Sequence, residues 1–409
     1  MNFEDTPVEA AFRVEAREWL EAHAALRSAN SSHGVLSVLG RESDTAADIE
    51  IARQWQQKAA ADGWAGISWP TEYGGRGATL MEQIIWSQEC AAFVVPDAVF
   101  RIGISLGGPT VIAHGTEEQR RRFLPPLLAG EEIWCQLFSE PGAGSDLASL
   151  RTTAAADGDE WIVNGQKVWS SGAHYSKWGF LLARTNPEAP KHQGITWFLL
   201  DMEAAGIEVR PLRQMTGLSH FNEVFFEDVC IPDTNRIGDL HDGWRVAQTT
   251  LLHERSMMGE FGVGGVVDAL VALARQHAPD GTVDPRVRQE LADLYIRAET
   301  MRFIGYRLIT AISQGGLPGA EASVAKLAMA RLLNDAGDLG TRIAGPASVV
   351  KDPDEFANEW WETLLAAPAL RIAGGSDEVQ HNIIGERVLG LPKEPGPSRD
   401  TPFKDLPIS

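Results

Sequence analysis

The chain has 409 residues, which is more than one typical hydrophobic core accommodates, so two or three domains are expected. Its 44% hydrophobic and 22% charged residues are those of an ordinary globular protein. The formal net charge of -20 argues against nucleic acid and anionic membranes as partners, because both require a basic surface. A phosphorylated small molecule is compatible with this charge, since it needs only a local basic pocket.

The cysteines and the amino-terminal sequence indicate the cellular compartment. Cys90, Cys135 and Cys230 lie far apart without metal or disulfide spacing, so we expect reduced, buried side chains and no metal site. The acidic, amphipathic start lacks the apolar run of a signal peptide. No later segment approaches the ~20 apolar residues of a membrane span. The sequence therefore predicts a cytoplasmic protein.

Residues 1–130 show a helical pattern and are predicted to form an N-terminal helical domain. Phe12, Ala16 and Leu20 recur at helical spacing, and so do later apolar positions. Thr116, followed by two glutamates, is typical of a residue that caps the start of a helix.

Residues 131–240 change to a strand pattern. Asp157-Gly158 and Asn164-Gly165 are dipeptides typical of hairpin turns, and they flank the short apolar segment EWIV. Several short segments rich in β-branched and aromatic residues follow, which predicts a small antiparallel barrel or sandwich. These segments are WGFLLART, GITWFLLDM, GIEVRPL and NEVFFEDVCI.

Residues 241–390 return to a helical pattern, and residues 391–409 form a Pro-rich tail. The tail is predicted to be extended or loosely docked. The order of helices, strands and helices predicts an α+β protein with several domains.

The segment Trp134–Ser145, with the sequence WCQLFSEPGAGS, is the most informative part of the chain. It places a hydroxyl, a carboxylate and small residues on one loop, where glycine lets backbone N–H groups approach a flat or anionic ligand. Asp146 follows, and Trp169-Ser170-Ser171 adds an indole that can lie against a ring. Together these segments resemble the flavin- and thioester-binding segments of the acyl-CoA dehydrogenases.

The resemblance covers roughly residues 6–390 and implies a fold and a cofactor. The family fold has an N-terminal helical domain, a middle β-barrel or sandwich and a C-terminal four-helix-bundle-like domain, and it binds FAD. By this resemblance Phe138 and Ser139 lie beside the flavin, Trp169 lies against its isoalloxazine ring, and Ser171 reaches flavin N5. Ser145 is implied to bind the acyl-CoA.

The family reaction removes the proton α to a thioester carbonyl and transfers the β-hydrogen as hydride to flavin N5. A carboxylate in a dry pocket suits the first task, because burial raises its pKa. Many members carry this base where the present chain has Gly374, which has no side chain to accept a proton. A minority place it on another helix, at the position of Glu254. We therefore predict Glu254 as the base, Arg255 in substrate binding, and the Gly374 N–H as donor to the thioester oxygen.

The segments that match the adenosine and pyrophosphate side of FAD are less well preserved. Ser376 and Glu378 match positions near the adenosine, although Ser376 also fits as a helix cap. Arg275 matches the start of an Arg-x-x-Phe-Gly segment that neighbouring subunits lend to FAD, but its Phe-Gly is absent. Arg342 replaces a glutamine of a second such segment, and Pro346 lacks the N–H that a phosphate-binding turn needs.

Both departures lie on the part of the FAD site that a neighbouring subunit contributes. We therefore predict a hetero-oligomer, an α2β2 assembly with a paralogous dehydrogenase subunit, as in some actinobacterial enzymes of steroid side-chain catabolism. A homotetramer is the alternative. The resemblance implies an electron-transfer flavoprotein as electron acceptor.

Two other functions are compatible with the same residues. Reduced flavin can pass its electrons to oxygen, as in acyl-CoA oxidases and flavin monooxygenases of this superfamily. The chain can also be a non-catalytic partner that has lost FAD, although its Glu254 argues against this. The small Gly374 is compatible with a branched or bulky acyl group, a steroid-CoA among them.

Overall fold

The computed structural model describes residues 5–27, 45–259, 264–278, 281–313, 321–349, 357–393, 395, 398 and 400–406. The chain divides into two compact units. We call the one made of 1–42, 78–95 and 255–392 the bundle unit, and the one made of 43–77, 96–254 and 393–409 the sheet unit. The domain limits predicted above stay a prediction.

The elements follow the predicted order of helices, strands and helices. The described helices are α1 (Pro7–His23), α2 (Ala46–Ala61), α3 (Leu80–Cys90), α4 (Ala98–Ile102), α5 (Gly108–His114), α6 (Glu117–Leu128), α7 (Gly243–Gly259), α8 (Gly264–Gln276), α9 (Pro285–Ser313), α10 (Glu321–Ala344), α11 (Ala357–Ala366) and α12 (Asp377–Ile383). The strands are β1 (Trp134–Leu137), β2 (Thr153–Asp157), β3 (Glu160–Lys167), β4 (Trp178–Arg184), β5 (Ile195–Asp201), β6 (Ile207–Leu212), β7 (Phe221–Pro232) and β8 (Arg236–Ile237).

The start of α6 confirms the predicted cap at Thr116. The Thr116 hydroxyl accepts the Gln119 N–H at 3.2 Å, and the Gln119 side-chain oxygen accepts the Thr116 N–H at 2.8 Å. This reciprocal pair satisfies two N–H groups that the first helical turn leaves without partners.

The core of the bundle unit is one apolar cluster to which α8, α9, α10 and α11 all contribute. Leu270, Leu333 and Trp360 are each at most 1% exposed within it. A Cβ added at Gly340 would lie 2.3 Å from the Trp360 ring, so α10 approaches α11 this closely because glycine has no side chain.

The sheet unit contains one eight-stranded sheet within the described residues, with the strand order β6-β7-β3-β2-β4-β5-β8 and β1 paired to β4. The β2–β3 hairpin turns at Gly158, as predicted. Most strand pairs are antiparallel, as predicted, but β4 pairs in parallel with both β1 and β2. Parallel partners are joined by long connections, which turn dipeptides do not reveal.

Asn164-Gly165 is not a turn, contrary to the prediction. Both residues lie inside β3, where the register with β7 shifts between Val163 and Gly165. The Asn164 side chain donates to Asp228 at 2.9 Å, and Gly165 adopts a φ of 149°. Since a bulge needs the same conformational freedom as a tight turn, the dipeptide serves the bulge instead.

The sheet curls around its own core. The buried cluster combines residues of β3 and β7 with residues of β4 and β5, which lie on opposite sides of β2 in the strand order. The rings of Trp161 and Phe198, one from each side, have centroids 5.6 Å apart. Two parts of one sheet therefore enclose an apolar interior, as a small barrel or sandwich does.

The cysteines are free, but not all are buried as predicted. Cys135 is buried, and burial raises the pKa of its thiol to about 12. Cys90 is half-buried and Cys230 is exposed, so the prediction was wrong for Cys230. Cys230 lies on β7, where side chains alternate between the core and solvent.

Part of the Pro-rich tail is held more firmly than predicted. Phe403 is 6% exposed, and the buried guanidinium of Arg184 lies 3.7 Å from its ring centroid. The Phe403 N–H donates to the Ala189 carbonyl at 2.9 Å. An aromatic side chain thus anchors a segment whose composition alone indicates an extended tail.

Candidate active site

The loop after β1 is a tight turn with an open outer surface. Glu140 and Ala143 exchange backbone hydrogen bonds of 3.1 and 3.0 Å, while Phe138 is only 3% exposed. A Cβ added at Gly142 or Gly144 would meet nothing within 4 Å. Packing within the chain therefore does not require these glycines, and the space beside them is available to a ligand.

Trp169 presents an indole to solvent from an unfavourable backbone conformation. It has a φ of 62° and is 60% exposed, and its ring makes an edge contact with Phe221 at 5.9 Å. The adjacent Ser170 N–H donates to the Asn222 carbonyl at 3.1 Å. A positive φ at a bulky residue costs about 1–3 kcal/mol, and such residues cluster at ligand sites.

The two segments are joined directly. The Val168 N–H donates to the Ser139 carbonyl at 2.9 Å, which brings Ser139 beside the residues that lead into Trp169 and Ser171. We call residues 138–146 and 167–172 together the ring-side loops. The structure thus brings the segment with Phe138 and Ser139 beside the segment with Trp169 and Ser171.

The ring-side loops contain a buried ion pair, Lys167 with Glu140, that sequence reasoning missed. Lys167 has no solvent exposure, and its ammonium donates to the Phe138 carbonyl at 2.9 Å and to the Glu140 carboxylate at 2.8 Å. That carboxylate also accepts the N–H groups of Arg151 and Thr152 at 2.6 and 2.9 Å. A lysine at the end of a strand gave no sequence signal, because its partner lies 27 residues earlier.

The charges of this pair depend on each other. Burial by itself disfavours the carboxylate of Glu140, but the Lys167 ammonium and the donated hydrogen bonds outweigh burial and hold its pKa below the ordinary value. Burial lowers the pKa of Lys167, and the charge of Glu140 opposes that shift. Each group therefore stabilises the charged form of the other.

The same region contains buried polar atoms without partners among the described residues. These are the Ser170 hydroxyl and the side-chain oxygen of Asn222, whose amide nitrogen donates to the Ser170 carbonyl at 2.9 Å. Buried polar atoms normally form hydrogen bonds. The unpaired atoms, the open glycines and the exposed indole fit a planar ligand with polar edges, such as a flavin.

The structure places Glu254 on α7, in the sheet unit with the ring-side loops. Val246 and Thr250 precede it on one helical face and have no solvent exposure. The Thr250 hydroxyl is 2.9 Å from that of Thr110, while Glu254 itself is half-buried. Glu254 thus follows two uncharged, buried residues on its helical face. The side chain of Arg255 lies outside the described residues.

Gly374 lies in the bundle unit, in a turn that requires glycine. Gly374 and Gly375 have φ values of 64° and 93°. The Gly374 carbonyl accepts the Gln380 side-chain N–H at 2.8 Å, and the Gly375 carbonyl accepts from the ammonium of Lys326 at 2.5 Å. Lys326 is 2% exposed, so this turn too is held by a buried lysine.

Ser376 caps α12, as its alternative role predicted. Its hydroxyl accepts the Val379 N–H at 3.3 Å. Glu378 is exposed in the first turn of α12, and hydrogen bonds from its own N–H and from Ser376 hold its pKa below the ordinary value. The hydroxyl of Ser376 is thus already used in holding the helix start.

Arg342, which stands where a lent glutamine is expected, is engaged within the bundle unit. Its guanidinium contacts Glu290 and also pairs with Asp338 at 2.9 Å. Arg275 lies at the end of α8 and is exposed. Neither arginine is placed in a phosphate-binding turn by the described residues.

We searched the described part of the chain for metal-binding clusters and for helices that could span a membrane. No group of three or more His, Cys, Asp or Glu side chains is placed to hold a metal ion. None of the described helices combines the length and apolar character that crossing a membrane requires.

Comparisons with known proteins agree along nearly the whole chain. The acyl-CoA dehydrogenase N-terminal, middle and C-terminal domains match residues 6–131, 135–229 and 241–389. Acyl-CoA dehydrogenase IpdE1 of Mycobacterium tuberculosis (strain ATCC 25618 / H37Rv) is 41% identical over 390 residues, covering 94% of this chain and 98% of that protein. This chain belongs to the acyl-CoA dehydrogenase family. It is therefore an enzyme of a family whose members depend on FAD.

Solved structures of acyl-CoA dehydrogenases (ACADs) share the fold. The Tcur3481-Tcur3483 steroid ACAD superposes with a TM-score of 0.81 at 28% identity, covering 96% of this chain and 100% of that chain. The ChsE4-ChsE5 complex from Mycobacterium tuberculosis gives a TM-score of 0.78 at 32% identity, with coverages of 96% and 100%. The α+β fold of an acyl-CoA dehydrogenase, predicted from the sequence, is confirmed.

Proposed function

We propose that this acyl-CoA dehydrogenase binds FAD and introduces a trans-2 double bond into an acyl-CoA thioester. The observation that carries the proposal is Trp169, an exposed indole held at positive φ beside Ser139. A fixed, exposed aromatic face suits contact with a flat ring. Phe138, Ser139, Trp169 and Ser171 are the residues that would hold the flavin ring, which when bound supplies the acceptor for the hydride.

We propose Glu254 as the base that removes the α-proton. The face of α7 that leads to it is apolar or hydrogen-bonded internally, since Val246 is buried and Thr250 pairs with Thr110. A half-buried carboxylate after such a face is partly shielded from water, as suits a base that acts on a substrate in a pocket.

Other residues are assigned to the thioester and to the rest of FAD. Ser145 is exposed beside the open glycines and is assigned to the CoA thioester, together with Arg255. The Gly374 N–H is proposed to donate to the thioester oxygen. The carbonyl of the same residue accepts a hydrogen bond from the Gln380 side chain at 2.8 Å. Ser376 and Glu378 are assigned to the adenosine half, where Ser376 serves through the start of α12.

We further propose a paralogous partner subunit in an α2β2 assembly and a bulky substrate such as a steroid-CoA. Support comes from two similar structures that each name two chains, one of them described as a steroid ACAD. The carboxylate partners of Arg342 also support it, because they leave that arginine paired within its own unit. An electron-transfer flavoprotein is the proposed acceptor.

The test is an absorbance spectrum of the purified chain, alone and co-expressed with a paralogous dehydrogenase chain, followed by turnover. We expect full flavin bands and native mass consistent with α2β2 only in the co-expressed preparation. Steroid-CoA should be oxidised faster than straight-chain thioesters with a dye acceptor. An active, FAD-loaded homotetramer would remove the partner proposal, and absent flavin bands in both preparations would favour a non-catalytic role.

A further inference from the structure

Lys167 is a charged side chain placed wholly inside the sheet unit, immediately before Trp169. Its ammonium bridges the Phe138 carbonyl at 2.9 Å and the Glu140 carboxylate at 2.8 Å. One residue later, the Val168 N–H meets the Ser139 carbonyl at 2.9 Å. The ammonium of the second ring-side loop thus binds the first loop at two points, beside the backbone hydrogen bond that joins Val168 to Ser139.

Stability by itself does not explain a buried ammonium at this place. Removing two charges from water is expensive, and replacing a buried ion pair by apolar side chains is often neutral or stabilising. An ammonium offers three donors. Lys167 ends β3, which leads into the second ring-side loop, and its ammonium binds both the Phe138 carbonyl and the Glu140 carboxylate of the first loop. No apolar side chain can make that connection.

We propose that Lys167 is a positioning residue for the reaction: its ammonium sets the separation between Ser139 and the Trp169–Ser171 segment. This inference rests on the proposed function, because the separation matters only if both segments face the flavin. Lys167 acts through the Phe138 carbonyl and through Glu140. A misplacement of about 1 Å in such a frame reduces turnover by as much as about 100-fold.

The test compares three variants in the flavin-containing preparation of this protein, with its partner chain if flavin requires one. They are Lys167→Met, the double variant Lys167→Met/Glu140→Gln, and Lys177→Met as the matched control. Lys177 lies just before β4 and pairs with Asp201 at 2.9 Å, but it is 32% exposed. The readouts are the flavin absorption bands, flavin content, kcat, KM and Tm.

We expect Lys167→Met to shift the flavin bands and to lower kcat about 10- to 100-fold, while KM stays within about threefold. The double variant should recover part of the lost Tm, because neither Lys167 nor Glu140 is then left buried and charged without the other, although the buried Arg184 loses the nearby charge of Glu140. It should keep the shifted bands and the low kcat. Lys177→Met should resemble the wild type in every readout.

The inference is overturned if folded Lys167→Met has the bands and kcat of the wild type. It is also overturned if the double variant recovers kcat together with Tm, because Lys167 would then serve stability alone. If the single variant does not fold, the flavin bands and kcat of the double variant test the inference in its place. A wild-type protein without flavin would instead refute the proposed function, and this is recognised before any variant is made.

Discussion

In both the ring-side loops and the Gly374–Gly375 turn, a buried lysine donates a hydrogen bond to a backbone carbonyl. The two segments differ in the ion pair that accompanies this bond. Lys167 holds the Phe138 carbonyl and pairs with Glu140, which is 8% exposed. Lys326 holds the Gly375 carbonyl, and the nearby carboxylate of Asp377 pairs at 2.8 Å with Arg371, whose side chain is 51% exposed.

The two ion pairs therefore differ in how strongly salt in the solvent screens them. An ion pair sealed from water is little affected by salt, whereas a pair with one exposed partner is screened. Added salt should therefore weaken the Arg371–Asp377 pair more than the Lys167–Glu140 pair.

The largest effect is expected from Glu254→Gln, which separates chemistry from the geometry of both segments. Turnover should fall about 100- to 10,000-fold, because the amide cannot remove the α-proton. Flavin bands should match the wild type, since Glu254 is not among the ring-side loops. Stopped-flow flavin reduction measures this, with Glu118→Gln on the exposed face of α6 as control. Retained turnover would refute the assignment of the base.

Lys326→Met tests the second segment in the same way that Lys167→Met tests the first. Loss of the donor leaves the Gly375 carbonyl without this partner and should lower the free energy of unfolding by about 1–3 kcal/mol. Flavin bands should not shift, because this turn is assigned to the thioester and adenosine side. Urea denaturation and absorbance check both points. A band shift equal to that of Lys167→Met would remove the distinction between the segments.

Lowering the pH should reduce the contribution of the buried Lys167–Glu140 ion pair to stability. The pKa of Glu140 in the folded protein lies below its ordinary value of 4.5, so its contribution to stability is complete above that pH. The contribution is lost as the pH falls through the folded-state pKa. The Tm advantage of the wild type over Glu140→Gln should therefore narrow between neutral pH and about pH 3. A constant difference in thermal melts over this range would contradict the assignment.

The smallest effect is expected from Arg342→Gln, which removes exposed ion pairs from the bundle unit. Arg342, Glu290 and Asp338 are each at least 42% exposed at their side chains, so the change should cost less than about 1 kcal/mol. The substitution also restores the glutamine of the lent segment. Flavin content of the chain expressed alone should stay unchanged, and a clear gain would argue against dependence on a partner.

The features that could be predicted from the sequence depend on interactions between residues close together in the chain. A threonine before a helix and a serine before α12 act as caps, because their partners lie three residues away. The segments around Ser139 and Trp169 indicated the family, since each carries its residue types within a few positions. The roles assigned to all of the site residues, including those around Ser139 and Trp169, remain proposals.

The errors arose where a short pattern serves more than one structure. Asn164-Gly165 suits a bulge as well as a turn, and the pairing of Asn164 with Asp228 across the sheet decides between them. The exposure of Cys230 depends on which side of β7 faces the core, which a single residue type does not reveal.

The sequence by itself determined the family and the order of helices and strands, and it supplied the segments that we propose for the flavin. Those features depend on residues that are close in the chain and on residue types that can be compared, position by position, with the segments of a family. Tertiary structure alone decided that Lys167 meets Glu140 and Phe138, that β4 pairs in parallel with β1 and β2, and that Phe403 covers Arg184. Each of these contacts joins residues distant in the chain, so it exists only once the sheet has closed around its core.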